Sequence, residues 1–418
     1  METQHNLSSG ELLERFLRYV RIHTTSDMHV DVTPSTACQW DLLNLLVREI
    51  RDLGIEDVEL NEHGYLIARI PSNISGDSQP PTVGFMAHVD TSPDVSGKDV
   101  QPRVIENYDG GVVELKEGFR LDPREFPELN RYKGQTIITT DGTTLLGADD
   151  KAGVAEILTV AAWLQAHPEV PHGELELIFT PDEETGKGMD RFPREKLQSV
   201  YCYTLDGGEE GEVETECFNA FKADVRFTGR VIHLGKARGK LVNPVTMAGT
   251  FISLLPGNES PESTDDRYGY YCPLEVSGGM EEAHLLVFLR DFELSGIERR
   301  IEVLKKTAAA VEALFDGGKV EVIPSKQYLN MREHMARRPE GLEFLHRAIR
   351  MAGTEPVVRI IRGGTDGARL AEMGIPTPNV FTGGHNYHSR LEWAGLSTMV
   401  KAADTVLYLV GLWSEIRD

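Results

Sequence analysis

The sequence predicts an α/β protein, with a mostly parallel, doubly wound sheet flanked by helices and a smaller α+β domain inserted into it. Three observations carry that expectation. Short apolar runs at residues 83–89, 175–179 and 200–205 alternate with stretches of helical periodicity, the pattern of strands buried on both faces between crossover helices. The order of elements changes to βαββαβ between residues 217 and 327 and then reverts, as an inserted split α+β domain requires. The chain's 418 residues also exceed the size at which one core keeps growing.

The elements follow in chain order. Leu12, Leu13, Phe16, Leu17 and Val20 recur at helical spacing behind the candidate caps Ser8 and Ser9, and Leu42, Leu43, Leu46 and Ile50 repeat the pattern until Gly54 stops it. Residues 58–60 and 65–70 read as strands around the turn His63-Gly64, and 83–89 as a central strand. The stretch 91–144, rich in Pro, Gly and charge, reads as a long irregular connection of the kind reserved for function or flexibility. Leu145-Leu146-Gly147-Ala148 then leads, as a buried run, into Asp149, and 153–164 is helical. In the insertion, 218–228 reads as a strand, 245–255 as a helix, 274–276 and 284–292 as a hairpin around Ser277-Gly278-Gly279, 296–315 as a helix and 319–323 as a strand. A helix at 342–351, a strand at 379–381 and a closing helix at 396–413 complete the first domain. The expected division is 1–216 with 328–418 for a catalytic domain, and 217–327 for a lid of ordinary domain size.

Composition excludes several functions. A formal charge of -23 repels phosphate backbones and anionic headgroups, so neither nucleic acid nor a membrane surface is an expected partner. Cys38, Cys202, Cys217 and Cys272 are far apart with no CxxC pair, and a chain of this size needs no disulfide staples, so they read as reduced. Met1-Glu2-Thr3-Gln4-His5 opens no basic and apolar leader, and no apolar run reaches a membrane span. A cytoplasmic location is expected.

Chemistry concentrates in five motifs: His88-Val89-Asp90, Asp149-Asp150-Lys151, Glu183-Glu184, Asp206-Gly207-Gly208 and His388. The first four close runs that read as buried strands, where open α/β sheets build their sites. Each alone has a plainer explanation as a cap or solvated turn; four together do not. The i, i+2 spacing of His88 and Asp90 puts both on one strand face, so Asp90 can accept one imidazole N–H and aim the other nitrogen at a metal. Asp149 or Asp150 could bridge two cations, since a carboxylate has two oxygens. Of Glu183 and Glu184, one can ligate while the other acts as general base. Either His385 or His388 could be the ligand on the glycine-rich loop. The set suffices for two divalent metals with two acids left for catalysis.

The strings HVDTSPD, LLGADDKAG, FTPDEETGKG, LDGG, RGGTDGA and NVFTGGHNYH resemble those of the di-zinc exopeptidase family that contains carboxypeptidase G and aminoacylase, and within it the tripeptide aminopeptidases. The likeness runs from about Leu12 to the C-terminus. It implies two zinc ions per subunit, bridged by Asp149, with His88 and Asp206 on one and Glu184 and His388 on the other. Asp90 would orient His88, and Glu183 would be the general base. The implied reaction removes the N-terminal residue from tripeptides. His233 and Asn243 match lid positions that bind substrate and the tetrahedral intermediate, although His233-Leu234-Gly235 stands where the family often has His-Pro-Gly. Arg290 and Arg362 are candidates for the substrate's carboxylate or carbonyls, since a guanidinium fork fits either; structural ion pairing is the alternative for both. The lid is expected to close over substrate, and a homodimer is compatible with this reading. Cleavage of dipeptides or of N-acyl amino acids on the same metals is the rival activity. A silent binding protein is a weaker alternative, because it would need neither Asp90 nor Glu183.

Overall fold

The computed structural model describes residues 7–76 and 78–416; the reading of Met1 to His5 lies outside them. The chain forms two compact units, Met1–Thr215 with Glu333–Arg359 and Thr365–Asp418, and Glu216–Arg332 with Ile360–Gly364. Among the described residues no helix is long and apolar enough to cross a membrane.

The first unit is built on an eight-stranded sheet. Its centre is parallel: Val83–His88 pairs with Leu175–Thr180 on one side and Tyr201–Gly207 on the other, and Asn379–Phe381 continues in parallel beside Tyr201–Gly207. Antiparallel pairs flank that centre, from Leu66–Ile70 on Leu175–Thr180 and from Glu212–Cys217 on Asn379–Phe381. Every residue of Val83–His88 and of Leu175–Thr180 is buried, because both faces are covered. One face carries the helices Ser9–Val20, Ala148–Ala166, Pro339–Met351 and Leu396–Ser414 through Phe16, Leu158, Leu345 and Val406. The other is covered by a separate apolar cluster containing Met86, Ile178, Met189 and Leu370. The helix Ala148–Ala166 is buried nearly all round, as a helix without a polar face must be.

Residues 91–144 are more ordered than their composition suggests. The strands Arg103–Ile105 and Ile137–Thr139 join Trp393–Gly395 and Gly384–His385 in a four-stranded sheet, over a small core around Tyr108, Leu121, Tyr132 and Trp393.

The second unit follows βαββαβ order: Asn219–Thr228, Pro244–Ser253, Tyr270–Gly278, Glu282–Asp291, Leu294–Leu314 and Lys319–Tyr328. All its strand pairs are antiparallel. Alternate residues of Glu282–Asp291 are buried, which puts Leu285, Val287 and Leu289 against Phe251 and Leu304 of the helices and leaves Glu282, His284, Leu286 and Phe288 on the other, more exposed face.

Candidate metal centre

Because Val83–His88, Leu175–Thr180 and Tyr201–Gly207 are parallel neighbours, their carboxyl ends share one edge of the sheet. Each delivers a functional group there. His88 is the last residue of its strand, Glu183 and Glu184 lie in a tight turn just beyond theirs, and Asp206 is next to last in its own. Asp182 makes the turn possible by taking a left-handed conformation, φ 58°.

Asp149 departs from the expectation that it closes a strand. Leu145, Leu146 and Gly147 are irregular, and Asp149 (φ -83°, ψ 106°) and Asp150 (φ -119°, ψ 34°) sit non-helically at the head of Ala148–Ala166, joined by a cis peptide. His388 comes from the loop between Gly384–His385 and Trp393–Gly395, also left-handed at φ 57°.

These five side chains converge. His88 Nε2 lies 2.9 Å from Asp149 Oδ1 and 3.5 Å from Asp206 Oδ1. His388 Nε2 lies 2.9 Å from Glu184 Oε2 and 3.2 Å from Asp149 Oδ2. Asp149 therefore turns one oxygen to each imidazole. On their far sides both rings meet aspartates: His88 Nδ1 is 3.3 Å from Asp90 Oδ1, and His388 Nδ1 is 3.3 Å from Asp94 Oδ2. Asp90 has a second task, since its two oxygens accept the backbone N–H groups of Glu183 (3.0 Å) and Glu184 (3.2 Å).

Two triplets have ligand atoms close enough to share an ion, His88 with Asp150 and Asp206, and His88 with Asp149 and Glu184. Asp150 is the weaker candidate on its contacts. Its oxygens accept the amides of His88 (3.2 Å) and Gly153 (3.2 Å), whereas the contacts of Asp149's oxygens are the two ring nitrogens. His385 is likewise taken: buried, it stacks on Trp393 at 4.0 Å between ring centres, and its Nε2 lies 3.2 Å from the Tyr132 hydroxyl.

The electrostatics suit cations. Burial, then the charge of Asp206, pushes Glu183 well above the ordinary carboxyl range although part of its surface meets solvent. Burial, then Asp149, raises Glu184 to about 8. At Asp149 burial acts upward too, but the imidazoles of His388 and His88 outweigh it and hold the carboxyl below its usual range. Burial works to lower His388, yet Asp149 and Glu184 raise it to about 11. Carboxyls outnumber imidazoles, and a divalent cation is what cancels such repulsion. Glu184 Oε1 is buried without a hydrogen-bond partner among the described residues, so a donor is left over for an ion. Oxygen and imidazole donors together suit zinc and its first-row neighbours.

Three contributors escaped sequence reading. Asp94 was in view in HVDTSPD, but its partner is almost three hundred residues away. Asp182 fixes the Glu183 turn by accepting from Ser35 N (2.7 Å) and Gln39 Nε2 (2.7 Å). Glu392 accepts from the backbone beside Asp149. Nothing in the local pattern distinguishes either of the last two from a surface acid.

The four remaining candidates belong to the second unit. His233 is exposed, and its Nδ1 accepts from Gly235 N at 3.2 Å. Asn243 caps the helix Pro244–Ser253 through Val245 N (3.0 Å). Arg290 is buried, with Nη1 donating to the carbonyls of Phe221 and Leu289 and to Gln327. Arg362 donates to the carbonyls of Thr264, Asp266 and Tyr268, which explains why Ile360–Gly364 groups with this unit. Both guanidinium groups are thus engaged by backbone carbonyls of their own unit rather than by the acidic side chains that were the expected structural partners.

Residues 139–411 match the model of peptidase family M20/M25/M40. The chain is 45% identical over 407 residues to peptidase T of Geobacillus thermodenitrificans, covering 97% of this chain and 98% of that one, and 45% identical over 402 residues to peptidase T of Clostridium perfringens, covering 96% and 98%. Among solved structures, aminopeptidase PepT from Bacillus cereus superposes with a TM-score of 0.74 at 23% identity, covering 97% of this chain and 99% of that one. A tripeptidase from Staphylococcus aureus gives 0.77 at 20%, covering 99% and 100%. A dinuclear metal-binding M20 peptidase from Bacillus subtilis gives 0.66 at 15%, covering 97% and 98%.

Proposed function

The chain belongs to peptidase family M20/M25/M40, and on that premise we propose that it is a metallopeptidase removing the N-terminal residue from tripeptides, with two zinc ions held across Asp149. The observation that carries this reading is Asp149 itself, one oxygen facing His88 and the other facing His388, as a bridging carboxylate requires. His88 and Asp206 would complete the protein donors to one ion, Glu184 and His388 those to the other. Bound there, the ions supply Lewis acidity for a carbonyl oxygen and an attacking water. The names of the peptidase T relatives and of the tripeptidase neighbour support the substrate class.

The chain's own groups then have distinct tasks. Among the described residues Glu183 has neither the imidazole contacts of Asp149, Asp206 and Glu184 nor the backbone amides that Asp150 accepts, and its own backbone is pinned by Asp90. Its carboxylate takes a proton from the attacking water as the C–O bond forms, and gives it to the departing amine nitrogen as the C–N bond breaks. Asp90 holds the His88 ring and the Glu183-Glu184 turn in one frame, which keeps the base at a fixed distance from the donors.

The test is to assay Ala-Ala-Ala, Ala-Ala and N-acetyl-Ala-Ala-Ala with and without a chelator. Cleavage of the free tripeptide alone, lost on chelation and restored by zinc, is expected. Comparable cleavage of the acetylated peptide would remove the aminopeptidase assignment, and cleavage insensitive to chelation would remove the metals.

A further inference from the structure

Resting on that reading of the metal centre, we propose that Glu392 is a positioning residue that fixes Asp149 between the two metal sites. The four N-terminal amides of a helix lack partners within it, and a side chain at the cap usually takes one or two of them. The helix Ala148–Ala166 has a glycine there instead: Gly147, left-handed at φ 82°, supplies no side-chain cap. Gly147's conformation gathers consecutive N–H groups into an anion-accepting concavity. The carboxylate that fills it comes from 245 residues along the chain. Glu392 Oε2 accepts from Leu146 N (2.7 Å) and Gly147 N (2.8 Å), and Oε1 accepts from Asp149 N (3.1 Å). The side chain is 1% exposed, so water does not replace these bonds.

Glu392 is itself held. It is four residues beyond His388, its own N–H donates to Ser389 O, and the next residue, Trp393, pairs with Thr139 and stacks on His385. One short segment thus carries both the ligand His388 and the group that grips the Asp149 backbone. Since Asp149 Oδ2 is 3.2 Å from His388 Nε2, the grip of Glu392 sets the spacing between the two donors. Three amides need acceptors on both oxygens, which only a carboxylate of this length provides. Glutamine would turn an NH2 group on at least one of them, and aspartate would fall short.

The test compares wild type, Glu392→Gln and Glu392→Asp, each folded by circular dichroism, in zinc titrations against a competing chromophoric chelator. Steady-state kinetics on Ala-Ala-Ala are measured alongside. Both variants are expected to bind at least one zinc about 10–100-fold more weakly. Turnover should fall at low zinc with KM little changed, and should recover in part at high zinc. A capping role confined to stability would lower the melting temperature and leave the zinc affinities alone; wild-type affinities in folded variants overturn the proposal. If Glu392→Gln does not fold, Glu392→Asp, which keeps the charge in place, decides by the same measurement. A wild-type protein that binds no zinc would instead overturn the metallopeptidase reading on which the proposal rests.

Discussion

Glu156 offers a test of the fold that does not depend on catalysis. It lies on the helix Ala148–Ala166 with no exposed surface, among buried Val154, Ala155, Ile157 and Val160, and neither carboxyl oxygen has a hydrogen-bond partner among the described residues. Burial alone pushes its pKa well above the ordinary range, so the folded chain holds a proton that the unfolded chain releases. The sign follows from linkage: stability is complete below the unfolded pKa, about 4.3, and falls as pH rises toward the raised folded value. Inside that window the loss is about 1.4 kcal/mol per pH unit. Glu156→Gln keeps the shape but cannot ionise. The variant's stability relative to wild type should therefore grow as pH rises above about 4.3, by up to about 1.4 kcal/mol per unit, a tenfold change in the unfolding constant for each unit until the folded group ionises. Urea midpoints and slopes for both proteins, at fixed saturating zinc so that ligand linkage is constant, give the difference. Parallel pH profiles for the two proteins would show that Glu156 is not held neutral.

Three further outcomes concern the metal centre. Glu183→Gln should keep two zinc ions while turnover falls about 10²–10⁴-fold, by metal analysis and steady-state kinetics; loss of zinc would show that Glu183 is a ligand. Asp149→Ala should lose both ions and His388→Ala one, and an Asp149→Ala protein that retains two would refute bridging. Asp94→Asn should weaken one zinc by about tenfold or more, since among the described residues the Asp94 carboxylate meets only the His388 ring; unchanged affinity would mean that this exposed contact, with Asp94 68% accessible, orients nothing.

The legible parts of the chain are those whose neighbours impose a pattern on the sequence. Val83–His88 and Leu175–Thr180 are buried on both faces and mostly apolar because helices and a second apolar layer cover them, and His88, Glu184 and Asp206 are legible because they lie at or just beyond the ends of such strands. Asp149 differs: the apolar run before it, which reads as a strand, is an irregular segment held by Glu392. Short strands such as Arg103–Ile105 and Ile137–Thr139 span too few residues to show alternation. Their ordering depends on Trp393–Gly395, some 250 residues away. The choices between His385 and His388 and between Asp149 and Asp150 are similar, since the letters are identical and only distant partners, Trp393 for one and His88 N with Gly153 N for the other, separate them.

What divides the acids of this site is the kind of donor each one faces. Asp90, Asp150, Asp182 and Glu392 accept backbone N–H groups, and a buried carboxylate satisfied in this way is fixed in place. Asp149, Glu184 and Asp206 face imidazole nitrogens and, among the described residues, no amide, and on Glu184 one oxygen has no donor among them at all. Amide-bound carboxylates have exchanged their freedom for geometry and hold the segments on which the others sit. The second group keeps lone pairs directed at a common centre, where only a cation can satisfy several at once. The roles are coupled: Asp90 links His88 to the Glu183-Glu184 turn, and Glu392 links the His388 segment to Asp149. Removing a frame carboxylate should then shift donors in pairs, so its cost in metal affinity should exceed that of losing a single hydrogen bond elsewhere in the unit.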